Sequence, residues 1–299
     1  MTGVTGVPAG APPLRLRGRE LAGPVVMAVV NRTPDSFYTS ARYDERGARD
    51  AVARAADEGA GIVDLGGVRA GRGPEVGPED EIARIVPLVA WVRSAHPDLL
   101  VSVDTWRAEV ARAAAGEGAD LINDTWAGHD PRLVEIAAER GLGVVVSHTG
   151  GAAPRTDPFR VQYGDGLDGV VDDVVATLSA GAARAVSLGI DPASVLVDPT
   201  HDFGKNTWHS LHLLRRTEAL VALGHPVLMA LSRKDFVGET LGLPVDERLE
   251  GTLAATAVAA WLGARVFRAH DVAATRRVLD MVASVRGERP PVSAVRGLA

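Results

Sequence analysis

Eight short apolar runs recur along the chain, and each is followed directly by a polar side chain that could take part in chemistry. The runs are residues 24–30, 61–63, 99–103, 121–122, 143–146, 194–197, 226–231 and 264–267. The residues that follow them are Asn31, Asp64, Asp104, Asn123, Ser147, Asp198, Ser232 and Arg268. Runs this short and this apolar are typical of buried parallel strands.

Helix-like segments separate most of these runs. In one of them Ile82, Ile85 and Val89 repeat at the spacing of one helix face, and Asp44 is placed to cap another. The pattern predicts helices over residues 44–59, 78–95, 107–116, 131–140, 168–188, 211–223, 247–262 and 272–285. A helix between two strands is a crossover connection, so the strands are expected to run parallel.

Eight strand–helix units predict one α/β domain, a (β/α)₈ TIM barrel with its active site at the C-terminal strand ends. An open doubly wound sheet is the alternative, but polar residues at every strand end favour the closed barrel. We place the barrel at residues 21–285. Residues 1–20 are Gly/Pro-rich and residues 286–299 lack periodicity, so both are expected to be flexible tails.

Composition narrows the class of protein. The 299 residues carry a formal charge of −6, with no basic stripe of the kind that binds nucleic acid. The chain has no cysteine, which excludes disulfides and thiolate metal sites. No run approaches the roughly 20 apolar residues needed to cross a bilayer, and no apolar signal segment follows the first residues. We therefore predict a soluble, cytoplasmic protein whose partners are small molecules and neither nucleic acid nor membrane.

Several strand-end motifs are too specific to be generic. They are Asn31-Arg-Thr-Pro-Asp-Ser-Phe37, Ser102-Val-Asp-Thr105, Asp198-Pro-Thr-His-Asp-Phe-Gly-Lys205, Met229-Ala-Leu-Ser-Arg-Lys234 and Arg268-Ala-His270. In this order, over about residues 24–285, they resemble the dihydropteroate synthases. Those enzymes are (β/α)₈ barrels that join 6-hydroxymethyl-7,8-dihydropterin diphosphate to p-aminobenzoate in folate biosynthesis and release diphosphate. The resemblance implies a transferase.

The polar strand ends suit a pterin. A pterin edge alternates hydrogen-bond donors and acceptors; carboxylates accept from it, and an amide can do both. Asp104, Asn123 and Asp198 lie at the ends of three strands, and the resemblance implies that they bind the pterin. It also implies that Lys234 reaches the pterin and acts in catalysis.

The last strand supplies a candidate anion site. Arg268 and His270 are two residues apart, so both side chains leave the strand on one face. The resemblance implies that they bind diphosphate and act in catalysis, with Asn31 as a further diphosphate contact and the ligand of a Mg²⁺ cofactor. It also implies that Phe203 and Ser232 form the aminobenzoate side.

The chain departs from the family in its loops. Residues 66–74 read Gly-Gly-Val-Arg-Ala-Gly-Arg-Gly-Pro, whereas the family has Gly-Gly-Glu-Ser-Thr-Arg-Pro-Gly. By resemblance, the missing Ser-Thr-Arg-Pro run closes over diphosphate and aminobenzoate. Arg32 stands where a small apolar residue is usual, and residues 200–202 replace a glycine-rich stretch, with Asp202 adding a negative charge near the site. Ser147 and Thr149 replace the usual methionines.

These departures leave several functions open. One is a working synthase; another is a catalytically inactive or repurposed paralogue that keeps pterin and anion binding. The altered loops resemble the diverged second copy of the synthase found in some actinobacteria. A methyltetrahydrofolate-binding barrel that passes a methyl group to a corrinoid partner fits less well, because Arg268, His270 and Asn31 suit diphosphate better.

Two further expectations concern the mouth of the barrel and its outer helices. A different substrate in the same barrel stays open as an alternative, because four further basic residues are expected to make the mouth more cationic. Those residues are Arg32, Arg69, Arg72 and His201. By resemblance we also expect a homodimer through the barrel helices, with the Ala-rich segment 252–260 as the candidate surface.

Overall fold

Strands and helices alternate in a computed structural model that describes residues 10–21, 23–32, 44–156, 161–164 and 166–296. The strands are β1 (Leu14–Leu16), β2 (Arg19–Leu21), β3 (Val25–Asn31), β4 (Ile62–Gly66), β5 (Leu100–Asp104), β6 (Leu121–Asp124), β7 (Gly143–Ser147), β8 (Val195–Asp198), β9 (Leu228–Met229) and β10 (Val266–Ala269). The helices are α1 (Glu45–Asp57), α2 (Pro78–Ala95), α3 (Ala108–Gly116), α4 (Arg132–Arg140), α5 (Asp168–Ser187), α6 (Thr207–Arg215), α7 (Thr217–Val221), α8 (Asp235–Leu241), α9 (Leu249–Trp261) and α10 (Val272–Val285).

Strands β3 to β10 form one parallel sheet in the order β8-β7-β6-β5-β4-β3-β10-β9. The sheet closes where Val197 of β8 pairs in parallel with Val227, next to β9, and the Val197 amide donates to the Pro226 carbonyl oxygen at 3.0 Å. Helices cover its outer face. The predicted (β/α)₈ barrel is therefore confirmed, and the open sheet is excluded.

Strand residues alternate between the barrel interior and the helix layer. The lower interior is filled by apolar side chains, namely Val25, Met27, Ile62, Leu100, Leu121, Val145, Leu196, Leu228, Ala230 and Val266. The opposite strand faces pack against the helices in a second apolar cluster. Because both faces are buried, the strands read as nearly continuous apolar runs.

The N-terminal segment corrects one expectation. Residues 14–21, predicted to belong mostly to a flexible tail, instead form the antiparallel hairpin of β1 and β2. Leu14 and Leu16 are 0% and 2% exposed and join the interior cluster near the N-terminal ends of the barrel strands. Gly143 makes room for Leu16, because a Cβ at that position would collide with the Leu16 side chain. The alternation of leucine and arginine over residues 14–17 carried this signal.

The predicted helices are largely present. Asp44 caps α1 by accepting from the Gly47 amide at 2.7 Å, and α2 and α10 have the predicted limits. The segment predicted at 211–223 begins earlier and is divided into α6 and α7, and α8 was not predicted. Beyond Val285, residues up to 296 form neither helix nor strand. In the described part of the chain, no helix combines the length and apolar character needed to span a membrane.

Candidate active site

The upper interior of the barrel is polar, in contrast to its lower interior. Inward-facing positions near the C-terminal ends of the strands carry Asp64, Ser102, Asp104, Asn123, Asp198 and Arg268. Alternation along each strand places these side chains directly above the apolar layer. We refer to this set of six residues as the polar floor.

Arg268 links two carboxylates of the polar floor. Its Nε donates to Asp64 Oδ2 at 2.5 Å and its Nη2 to Asp104 Oδ2 at 2.8 Å. Burial opposes the charge of Arg268, but the two carboxylates outweigh it, so the pKa of Arg268 is raised. The guanidinium is therefore a fixed cation held between β4 and β5.

The ionisation of Asp104 depends on opposing effects of burial and of neighbouring charges. Its Oδ1 accepts from Thr125 Oγ1 at 3.0 Å. Burial raises the pKa of Asp104 to about 7, with Asp64 contributing in the same direction and Arg268 opposing. Asp104 therefore titrates near neutral pH.

Asp198 offers an oxygen to the cavity. Its Oδ1 accepts from the Thr200 amide at 2.7 Å, and no described side chain donates to its Oδ2. Burial raises the pKa of Asp198, against the opposing charges of Lys234 and Lys205. A ligand N–H directed at Oδ2 would stabilise this carboxylate.

Lys234 lies beside Asp198 at the start of α8. Its ammonium group donates to the His201 carbonyl oxygen and lies 4.8 Å from the centre of the Phe203 ring. Burial lowers the pKa of Lys234, although Asp202 and Asp198 counteract it. Lys234 and Phe203 thus form one wall of the mouth.

His270 and Ser232 are in direct contact. Ser232 Oγ lies 3.0 Å from His270 Nδ1 and accepts from the His270 amide at 3.2 Å. Burial, helped by the Arg268 charge, lowers the pKa of His270 to about 4. His270 is therefore neutral at physiological pH, and it would meet an anion as a hydrogen-bond donor rather than as a cation.

All nine predicted site residues line one cavity of about 260 Å³. They are Asn31, Asp104, Asn123, Asp198, Phe203, Ser232, Lys234, Arg268 and His270. Asn31 lies at the rim against Gly66, where a Cβ would be 2.5 Å from Asn31 Oδ1. The structure therefore brings the predicted residues together, although it does not test the role of each. Residues 33–37 of the first predicted motif lie outside the described residues.

The loop after β4 covers one side of this cavity through residues 68–71. Three arginines from outside the cavity hold its backbone. Arg84 donates to the Gly67 carbonyl oxygen at 2.9 Å, and Arg155 donates to those of Gly71 at 3.1 Å and Pro74 at 2.9 Å. Arg107 donates to the Val76 carbonyl oxygen at 2.6 Å and pairs with the buried Glu81.

In the loop after β8, two residues of the segment 200–202 have backbone conformations that favour glycine, although neither is a glycine. Thr200 and Asp202 have φ values of +50° and +70°, in the left-handed region where only glycine is free of strain. Asp202 accepts from the amides of Asp235 at 2.7 Å and Phe236 at 3.4 Å, at the N-terminus of α8. Its carboxylate thus caps a helix and is not among the residues that line the cavity.

Lys205 holds the same loop from inside. It is 1% exposed and donates to the carbonyl oxygens of His148 at 2.8 Å, Phe203 at 2.9 Å and Thr200 at 3.3 Å. Burial lowers its pKa well below the ordinary value.

The expectation of a more cationic mouth is wrong for two of its residues. The Arg32 side chain is directed away from the cavity, since it donates to the carbonyl oxygen of Arg84, a residue of α2, at 2.7 Å. His201 is fully buried beside Phe236, with ring centres 5.6 Å apart, and burial lowers its pKa well below the ordinary value. His201 is therefore neutral, and the argument for a different substrate loses much of its support.

Sequence reasoning missed several residues that shape the site. Asp64 was noted as a strand-end residue and Lys205 as the end of a motif, but neither received a role. Thr125 and Arg155 were not considered. A carboxylate at the end of an apolar run was a usable signal for Asp64. No signal in the sequence distinguished Arg155 from surface arginines.

Among the described residues, no group of three or more His, Asp or Glu side chains could hold a metal ion. Asn31 Oδ1 is a neutral oxygen at the rim and could serve as a single protein ligand. A metal at this site would therefore depend on a ligand that brings oxygens of its own.

Comparisons with known proteins agree with this geometry. The family model described as pterin binding enzyme matches residues 27–270. The chain is 62% identical to a Mycobacterium leprae protein named inactive dihydropteroate synthase 2, over 95% of this chain and 99% of that protein. It is 37% identical to the Haemophilus influenzae dihydropteroate synthase, over 88% of this chain and 94% of that protein. Among solved structures, it matches a Yersinia pestis dihydropteroate synthase–sulfonamide complex with a TM-score of 0.84 and 33% identity, over 93% and 100% of the two chains.

Proposed function

Because the chain belongs to the pterin-binding enzyme family, as a member of its dihydropteroate synthase branch, we propose that it binds a pterin in the barrel without catalysing the synthase reaction. The observation that carries this proposal is the contrast between the polar floor and the loop after β4. Asp104, Asn123 and Asp198 line the cavity together, while residues 68–72 lack the hydroxyl, arginine and proline run of the family.

The polar floor supports pterin binding through its hydrogen-bond chemistry. Asp198 Oδ2, Asn123 and Asp104 present oxygens to one cavity. A pterin carries an exocyclic amine and ring N–H groups that would satisfy them. Buried oxygens of this kind are costly without donors, so the site is suited to a ligand that supplies N–H groups.

The loop after β4 supports the loss of catalysis. The synthase reaction depends on stabilising the departing diphosphate and on positioning the aniline nitrogen of p-aminobenzoate. In this chain, Val68 and Ala70 occupy positions where the family has a glutamate and a threonine. At these two positions the loop therefore has no side chain able to hydrogen-bond to either group, although Arg69 between them lines the cavity.

A working synthase is the second candidate, favoured by one observation. The residues predicted to act in catalysis are Lys234, Arg268 and His270, and all three line the same cavity as the predicted pterin-binding residues. Diphosphate would meet the Lys234 ammonium group, the remaining Arg268 N–H groups and a neutral His270. This arrangement would also allow binding of diphosphate without turnover.

A coupled assay for released diphosphate distinguishes the two candidates. Purified protein is supplied with 6-hydroxymethyl-7,8-dihydropterin diphosphate, p-aminobenzoate and Mg²⁺, and pterin binding is measured in parallel by calorimetry. We expect pterin binding without aminobenzoate-dependent release. Turnover comparable to a family synthase would establish the second candidate, and absence of pterin binding would overturn both.

Mg²⁺ is the cofactor proposed for the diphosphate-bound state. It would neutralise charge on the diphosphate oxygens, and Asn31 Oδ1 would be its protein ligand at the rim. Mg²⁺ is commonly bound through one or two protein oxygens plus substrate phosphates, so a single amide is compatible with this arrangement. Calorimetry of the pterin diphosphate with and without Mg²⁺ tests it, with Asn31→Ala expected to remove the difference.

A homodimer through α9 and α10 is the proposed assembly. Thr252, Ala255 and Ala259 of α9 pack against the barrel, while Val258 on its other face is 46% exposed. Met281 of α10 is 65% exposed, and α9 packs beside α10. An apolar surface on adjacent helices suits a second copy of the chain. Light scattering should give a dimer mass that Val258→Glu reduces to that of a monomer.

The cytoplasmic location stays a prediction.

A further inference from the structure

Asp64 lies beneath the ligand-facing side chains. It is 0% exposed, and it is not one of the described residues that line the cavity. Its Oδ1 accepts from Ser102 Oγ at 2.6 Å, and its Oδ2 accepts from Asn123 Nδ2 at 3.1 Å and from Arg268 Nε at 2.5 Å. A fully buried carboxylate requires partners of this kind.

The contact with Asp64 fixes which end of the Asn123 amide faces the cavity. An ionised carboxylate can only accept, so Asn123 must turn its NH₂ group toward Asp64. Its carbonyl oxygen is then at the opposite end, toward the cavity that Asn123 lines. No described side chain donates to that oxygen. Without Asp64, either end of the amide could face a ligand.

The three residues expected to contact the pterin edge consequently present acceptors to the cavity when Asp104 is ionised. These acceptors are Asn123 Oδ1, Asp198 Oδ2 and the carboxylate of Asp104. Such a set matches a heterocycle edge that presents N–H donors, as a 2-amino-4-oxopteridine does. A 2,4-dioxopteridine replaces the exocyclic amine with a carbonyl oxygen, which would face an acceptor and be rejected.

We propose that Asp64 is a positioning residue that determines specificity, because it holds the Asn123 carbonyl oxygen toward the ligand and so selects donor-bearing pteridines. This inference rests on the proposed pterin binding. It extends that proposal by naming a residue below the cavity that sets the hydrogen-bond polarity of the site. Asp64 acts through Asn123 and does not itself touch the ligand.

The test compares two fluorescent probes, 6-hydroxymethylpterin and its 2,4-dioxo analogue, by titration of the full chain. In the wild-type protein the pterin is expected to bind more tightly. Asp64→Ala frees the Asn123 amide and should lower the ratio of the two affinities by about tenfold, the effect of one misdirected hydrogen bond. Asp64→Asn is the matched control, because its amide oxygen can still accept from Asn123, and it should keep the ratio within about threefold.

A double variant separates orientation from general damage. In Asp64→Ala/Asn123→Asp, the carboxylate at position 123 presents oxygen at both ends and needs no orientation. We expect this variant to recover the preference for the pterin. A purely structural role for Asp64 predicts weaker binding of both probes, an unchanged ratio and no recovery, and that result would overturn the inference.

A stability measurement tests the same contact without any ligand. Asn123→Asp places two carboxylates in contact in an otherwise unchanged barrel, so its unfolding midpoint in urea should fall. Asp64→Asn/Asn123→Asp should restore the midpoint. An Asn123→Asp variant as stable as the wild type would show that the amide nitrogen does not face Asp64. If the wild type binds no pterin, the proposed function fails, while this cycle still decides the Asp64–Asn123 contact.

Discussion

Arg155, in the loop after β7, donates from Nε and Nη1 to the carbonyl oxygens of Gly71 and Pro74, at 3.1 and 2.9 Å. The two hydrogen bonds join the loops that follow β4 and β7 across the barrel mouth. Because Arg84 and Arg107 bind carbonyl oxygens at Gly67 and Val76, the loop after β4 is held at both ends and in the middle.

Replacing Arg155 should therefore loosen the loop without unfolding the barrel. In Arg155→Ala, we expect amide hydrogen exchange over residues 67–76 to accelerate by about tenfold or more, since each lost hydrogen bond contributes about 1 kcal/mol. Exchange in the strands should not change. Arg140→Ala is the matched control, because Arg140 is exposed on α4 and no exchange difference is expected there. Equal protection of residues 67–76 in wild type and Arg155→Ala would show that Arg155 does not hold the loop.

Pterin affinity should depend on pH through Asp104. Burial raises the pKa of Asp104 to about 7, whereas the pKa of His270 is about 4, so His270 stays neutral over the range of interest. Ligand N–H donors favour the ionised carboxylate, so the ligand binds more tightly as pH rises. We expect affinity for 6-hydroxymethylpterin to increase by about an order of magnitude between pH 6 and 7.5, with proton release on binding.

In the protein without ligand, Asp104 should lower the free energy of unfolding as pH rises, whereas pterin affinity rises with pH. A carboxyl group whose pKa is raised by folding holds a proton that the unfolded chain releases, so its contribution to the free energy of unfolding falls as pH rises from about 4 to about 7. Asp104→Asn is the control for both measurements. It should bind pterin more weakly and lose the pH dependence that Asp104 contributes, although Asp198, whose pKa is also raised, remains. A variant with the wild-type pH profile would assign the titration to another group.

Much of the fold could be predicted because the barrel repeats one simple pattern. Strands buried on both faces appear as apolar runs, and the helices between them carry apolar residues at helical spacing. The limits of α2 were visible from Pro78 at its start, and Asp44 marked the start of α1. Segment 211–223 was less visible, because Thr217 begins a separate short helix there.

The missed features depend on contacts between distant parts of the chain. Helix α8 has seven residues and is capped by Asp202, 33 positions before Asp235. The alternation of leucine and arginine over residues 14–17 was a local signal for the first hairpin strand, but the residues that bury Leu14 and Leu16 come from distant strands. Asp64 acts through Asn123 and Arg268, its partners in two other strands. In contrast, the cavity-lining residues Asn31, Asp104 and Asp198 could be predicted from their positions at strand ends.

Asp202 should stabilise α8 despite its left-handed backbone. Asp202→Ala removes the contacts to the Asp235 and Phe236 amides and leaves an alanine at a positive φ. Together these two effects should lower the free energy of unfolding by about 1–2 kcal/mol. Asp202→Gly loses the same contacts but relieves the backbone, so it should be about 1 kcal/mol more stable than Asp202→Ala. Urea unfolding followed by circular dichroism measures both. Equal stability of the two variants would show that φ at position 202 is not strained.

The loop after β4 departs from the family in its residues. Residues 66–73 and the family run Gly-Gly-Glu-Ser-Thr-Arg-Pro-Gly have the same length, so the family loop can be grafted without insertion. The graft is Val68→Glu, Arg69→Ser, Ala70→Thr, Gly71→Arg and Arg72→Pro. Because Arg84 and Arg155 bind backbone carbonyl oxygens, they can hold the grafted loop as they hold the native one.

If the native loop is the cause of lost catalysis, the graft should release diphosphate from the pterin diphosphate only when p-aminobenzoate is present, at a rate at least tenfold above the wild-type chain. The same graft carrying Lys234→Ala is the control, because Lys234 lies beside Asp198 and Phe203, outside the grafted loop, and its loss should abolish the gained activity. Pterin binding should be similar in the graft and the wild type, since the polar floor is unchanged. A graft that binds pterin but remains inactive would assign the loss of catalysis to a part of the mouth other than this loop.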